Sequence, residues 1–250
     1  MLLTPDFVYI HYPKTGGTFV TEVLQTIHKN ANIGNIINTT NEGTKHGKCW
    51  QIPPEYRNKP IVSTIRSPYE RYVSVYEFGW WRRYPESFFA EMEVMTNRYP
   101  HFPDISFAEY VEAVNSLCKF NTLETPNLDP HLSIGQQTQN FIKYFFNQPV
   151  ETIFEKFSQE YVRSKQYLND LFTVKFLKTE NLNQELYRLL LDFGYPAAEI
   201  EFILTSDKIF PVEGGRKESQ AWQTYYTSDL KEFVKSREML LFSIFPEFDI

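Results

Sequence analysis

Short runs of β-branched and aromatic residues alternate along this chain with longer stretches whose apolar positions recur every three or four residues. The first run, FVYIH over 7–11, reads as a buried strand, and residues 17–29 read as the helix after it. IVSTIR (61–66) is a second strand, and Pro68 opens a helix from about 68 to 83. Ser106 with Glu109 three residues on is a capping box at the head of another helix. The polar, proline-marked 121–137 reads as loop, 151–170 as helix, and FTVKFLK (172–178) as a third strand. Residues 181–194 form an amphipathic helix that Gly194 ends, and 206–220 are loop. The last helix, 228–243, carries Leu230, Phe233, Val234, Met239, Leu240 and Leu241 near helical spacing. Strands that alternate with helices imply an α/β fold with a parallel sheet covered by helices on both faces.

Composition narrows this picture. With 250 residues and no sharp shift along them, the chain is expected to form a single domain, 1–250. Aromatics at 17% suit a core with aromatic-lined clefts rather than a disordered chain. A net charge of −6 argues against nucleic acid as a partner. Cys49 and Cys118 have no paired spacing, so neither a disulfide framework nor a zinc signature is expected. No apolar run is long enough for a transmembrane segment, and a cytoplasmic location is expected.

The chemistry concentrates in HYPKTGGTF, between the first strand and its helix. A glycine-rich turn there aims backbone N–H groups at one spot, where the helix N-terminus adds partial positive charge. Such a turn holds an anion, usually a phosphate. Lys14 brings a full charge, Thr15 and Thr18 bring hydroxyls, and Gly16 and Gly17 admit a ligand close to the backbone. The plainer alternative is a tight turn with a surface lysine. A nucleoside-triphosphate loop places its lysine after the glycines, whereas Lys14 precedes them. The second strand ends in Arg66 rather than in an acidic magnesium ligand. A cation there suggests a second anionic group on the ligand, held by Arg66 and by Ser74, eight residues on. Arg71 fits either that clamp or a structural ion pair.

These residues resemble the sulfotransferases that use 3′-phosphoadenylyl sulfate (PAPS). HYPKTGGTF is similar to their 5′-phosphosulfate loop, and RSPYERYVSVYEF to their 3′-phosphate segment. LKTENL (177–182) and YYTSDLKEFVKSREMLLFSIFPEF (225–248) resemble a later strand exit and the closing helix. The likeness spans most of the chain and is least in 80–135, which would be an acceptor-side insertion. RSPYER and DPHLSIGQ look closer to the carbohydrate branch than to the enzymes for phenols and steroids.

The resemblance implies a P-loop-like fold, PAPS as donor, adenosine 3′,5′-bisphosphate (PAP) as product, and no required metal. It implies that Lys14, Thr15, Gly16, Gly17 and Thr18 hold the 5′-phosphate, and that Arg66 and Ser74 hold the 3′-phosphate. Phe19 matches a position where an aromatic stacks on adenine, with a core phenylalanine as the alternative. Arg216 and Lys217 fall where a late loop adds basic groups, although GGRKES departs from the fuller glycine-spaced form of that loop.

Sulfuryl transfer builds charge on the leaving 5′-phosphate, which a fixed ammonium and N–H groups stabilise; Lys14 suits that role. The acceptor must also lose a proton. His46, in TKHGK, stands 20 residues before Arg66, near where similar enzymes carry a catalytic histidine in a Lys-Thr-His segment. A histidine titrates near neutrality, which suits a general base. His131 is the rival, on the acceptor side, and Glu42 or Glu180 are carboxylate alternatives. Trp80, Trp81 and Tyr84 are candidates to stack on sugar rings, with Arg82 and Arg83 for an acidic polymer, or else the rings fill the core. The acceptor is expected to be a small molecule or a glycan. Two other functions stay open: a nucleotide-dependent kinase with a degenerate loop, and a non-catalytic module for a nucleotide or an anionic glycan.

Overall fold

The computed structural model of the chain describes residues 1–30, 37–38, 46–89, 92–117, 134–207 and 221–250. Its contacts gather into two compact units, one of residues 1–66 with 172–210, the other of 67–171 with 211–250.

The first unit holds a five-stranded sheet in the order β3-β1-β2-β4-β5. The strands are β1 (Leu2–Leu3), β2 (Val8–Ile10), β3 (Ile37–Asn38), β4 (Ile61–Ile65) and β5 (Val174–Lys178). β2, β4 and β5 are parallel, with Ile10 opposite Ser63 and Ser63 opposite Phe176. β1 pairs antiparallel with both β2 and β3. The sheet is therefore mixed rather than wholly parallel. Two-residue strands carry no readable period, which is why the pattern of the chain hid them.

Helix α1 (Gly17–Asn30) follows β2, and a later helix of this unit spans Leu182–Asp192. Both lie on one sheet face. Val20, Val23, Leu24 and Ile27 recur at three and four, and so do Leu182, Leu186, Leu189 and Leu190. They share one core with Tyr9, Val62 and Leu177, which project from a single face of the parallel strands. Each such side chain contributes about 1.5–3 kcal/mol on burial. On the opposite face Val8, Ile10 and Ser63 are also fully buried. The Leu182–Asp192 helix ends as expected, with Gly194 left-handed at φ 82°.

In the second unit, α2 spans Pro68–Phe78, where the sequence predicts one helix to 83. Gly79 breaks it in a left-handed conformation (φ 67°), and a separate turn follows at Trp80–Arg83. Helix α3 (Phe107–Ser116) carries the expected capping box: Ser106 Oγ accepts from Glu109 N, and Ser106 N donates to the Glu109 carboxylate. Helix α4 (Gln136–Phe145) begins inside the segment expected to be loop. The predicted 151–170 helix is three pieces, Val150–Lys156, Gln159–Arg163 and Gln166–Asn169.

Taking the Leu182–Asp192 helix as α5, the closing helix is likewise two, α6 (Ser228–Arg237) and α7 (Met239–Ile244). Glu238, at the break, is fully buried and serves another helix. Its carboxylate accepts from the backbone N–H groups of Gln137 (3.1 Å) and Thr138 (2.7 Å) at the head of α4, and from the Tyr72 hydroxyl. A fixed acceptor there satisfies donors that the helix leaves unpaired.

Candidate functional site

The loop from His11 to Gly17 joins β2 to α1, and its backbone is unusual at two points. Lys14 has φ 67° and Gly16 φ 87°. A non-glycine residue in the left-handed region costs about 1 kcal/mol, so neighbouring contacts must hold it there. They form a line of buried hydroxyls. Thr15 Oγ1 donates to Tyr12 O (2.8 Å), so it must accept from Thr64 Oγ1 (2.7 Å), which in turn accepts from the Tyr9 hydroxyl (3.1 Å). Burial pushes the Tyr9 phenol well up from its ordinary pKa, so it keeps the proton that this direction needs. From the exit of β5, Thr179 Oγ1 reaches Thr15 O (3.1 Å) and Ile65 O (2.8 Å). The loop is thereby tied to the ends of β4 and β5.

The glycines answer to packing as well as to any ligand. A Cβ on Gly16 would meet Leu182 Cδ2 at 2.7 Å, and one on Gly17 would meet the His11 ring at 2.3–2.8 Å. Close approach does explain these glycines, but the approaching atoms are the protein's own. Thr15 is wholly buried and its hydroxyl is committed to the sheet, whereas Thr18 is exposed. What the loop leaves outside the core is the half-buried Lys14 and the exposed Thr18, beside the head of α1, where a helix has no acceptors of its own for its first N–H groups.

Arg66 follows the carboxyl end of β4. Because β2 and β4 are parallel with Ile10 opposite Ser63, Lys14 and Arg66 leave the sheet at the same edge. Ligands of open α/β sheets bind at that edge. Thr179 and the exposed Glu180 leave β5 there too. His46 belongs to the same unit: its Nδ1 lies 3.1 Å from His11 O, and its ring meets the His11 ring edge-on at 5.0 Å. Phe19 lies in the core with α1's other apolar residues.

Other candidates belong to the second unit. Ser74 stands half-buried on α2, and Arg71 is buried on the same helix, both in the second unit. Trp81 is fully buried, donates Nε1–H to Tyr76 O (3.2 Å) and packs on Tyr110 at 5.0 Å, so its ring surface belongs to the core. The exposed rings of that segment are Trp80 and Tyr84, 4.5 Å apart, while Arg82 lies over Tyr76 and Trp81. Glu42, His131, Arg216 and Lys217 lie outside the described residues.

His11, Thr64 and Thr179 were not singled out as site residues from the chain. Nothing in their local pattern marks them, because their partners, Thr15 for both threonines and His46 for His11, are distant in the chain. Burial pushes the Cys49 thiol up to about 12, which makes it inert at neutral pH. Among the described residues, no group of three or more His, Cys, Asp or Glu could hold a metal ion, and no helix is long and apolar enough to cross a membrane. Comparison of the chain with protein-family models, with curated proteins and with solved structures gave no match.

Proposed function

We propose that the chain is a sulfotransferase that moves a sulfuryl group from PAPS to a hydroxyl or amine acceptor, a carbohydrate above all. The observation that carries this reading is the β2–α1 loop. A lysine fixed in the left-handed region stands just before the N-terminus of α1, and an arginine leaves the neighbouring strand at the same sheet edge. The residues fit a doubly phosphorylated adenosine: the loop offers donors for the 5′-phosphosulfate, and Arg66 offers a fork for the 3′-phosphate.

In the reaction, the acceptor oxygen or nitrogen attacks sulfur in line. A bond from that atom to sulfur forms as the bond from sulfur to the 5′-phosphate oxygen breaks, and this oxygen keeps the electron pair. Lys14 and the N–H groups stabilise the charge that builds there. The acceptor's proton goes to His46.

The test is calorimetry with PAP, with and without magnesium, followed by transfer of labelled sulfate from PAPS to a panel of glycans. Magnesium-independent binding that weakens in Lys14→Ala and Arg66→Ala, together with labelled product, is expected. Absence of PAP binding, or tight ATP binding only with magnesium, would overturn the reading.

A further inference from the structure

The contacts around His46 define more than its location. A carbonyl oxygen only accepts, so the 3.1 Å contact with His11 O requires that His46 Nδ1 carry the hydrogen. The second nitrogen, Nε2, is then the basic one. This is the minority tautomer of a free neutral imidazole, so the partner on Nδ1 selects it.

The partner is itself held. The His11 ring is buried, and it occupies the space beside Gly17 where a Cβ would meet it at 2.3–2.8 Å. Thr21 Oγ1 donates to Gly17 O (2.8 Å), so its contact with His11 Nδ1 (3.4 Å) is one it accepts. Gly17, Thr21 and His11 thus form a seat at the first turn of α1, and the His46 ring packs edge-on against it.

We propose that Gly17 and His11 are positioning residues for His46. The missing Cβ at 17 seats the His11 ring, and the His11 carbonyl holds His46 with Nδ1 protonated and Nε2 turned to base chemistry. The assignment of a base role rests on the sulfotransferase reading above; the tautomer and the seat do not. On this account Gly17 is glycine for the sake of His11, not of a phosphate.

Two measurements test it. The first is ¹⁵N NMR of the imidazoles in the wild-type chain and in His11→Ala, above the pH at which the histidines titrate. The wild type should show His46 as the Nδ1–H form, and His11→Ala should shift it toward the Nε2–H form. A wild-type His46 already in the Nε2–H form would overturn the proposal.

The second is a double-mutant cycle by urea unfolding. Gly17→Ala should be markedly less destabilising in the His11→Ala background, where the Cβ has room, than in the wild type. Equal penalties in both backgrounds would show that the glycine serves something other than the ring. In a transfer assay, His11→Ala should lower kcat on the order of tenfold or more while PAP affinity holds; unchanged kcat would remove His11 as a positioning residue. A chain that shows the expected tautomer yet binds no PAP keeps the seat and loses the sulfotransferase reading. The reverse pair of results does the opposite.

Discussion

Thr64→Val removes one hydroxyl from the middle of the buried line that braces the loop, at nearly constant shape. The Tyr9 phenol then has no acceptor, although it is wholly buried and protonated, and Thr15 Oγ1 loses the donor it accepts from. A buried donor left without a partner costs about 1–3 kcal/mol, and the lost bond to Thr15 adds about 1 kcal/mol, so about 2–4 kcal/mol of stability should go. Urea unfolding followed by far-UV dichroism reads this as a lower midpoint at unchanged slope. The companion Tyr9→Phe/Thr64→Val leaves no stranded phenol. It should be no less stable than Thr64→Val alone, because both partners of the longer contact are gone. A loss under about 0.5 kcal/mol in Thr64→Val would refute the idea that the line of hydroxyls is taut.

Two further outcomes follow from other parts of the molecule. Lys14→Gly should stay within about 1 kcal/mol of wild-type stability, since relief of the left-handed strain offsets the greater freedom of unfolded glycine. On the sulfotransferase reading proposed above it should nonetheless lose sulfate transfer; full transfer in a folded variant would remove the ammonium from that mechanism. Glu238→Gln bears on pH. Burial raises the Glu238 carboxyl above its ordinary value, outweighing the hydrogen bonds from Tyr72, Thr138 and Gln137. The folded state then binds the proton more tightly than the unfolded one, so wild-type stability should fall as pH rises from 4.5 through the raised value. Glu238→Gln should lack that slope, and parallel stability curves for the two proteins would contradict the direction of the shift.

Much of the first unit was legible in the chain, because β2, α1, β4, β5 and the Leu182–Asp192 helix are each long or strongly patterned. Gly194 and the Ser106 capping box were legible for the same reason: a local rule fixes them. The helix breaks were not. Gly79 sits in a run whose periodicity continues past it, and Glu238 looks like a surface residue until α4 is brought against it. The site was legible as a loop but not as a construction. Thr15 and Thr64 are 49 residues apart, and His46 and His11 are 35 apart. No spacing rule joins them; parallel pairing and a returning segment do. Phe19 and Trp81 illustrate the opposite difficulty, since an aromatic that could stack on a ligand and one that fills a core look alike in sequence.

The hydroxyl of Thr179 has one hydrogen and two carbonyls within reach, Ile65 O at the end of β4 and Thr15 O in the loop after β2. It therefore acts as a shared rivet whose grip is divided between two plates. Serine at this place would preserve the division, whereas valine would release both plates at once. Over evolutionary drift, residue 179 should consequently tolerate the loss of a methyl far better than the loss of an oxygen.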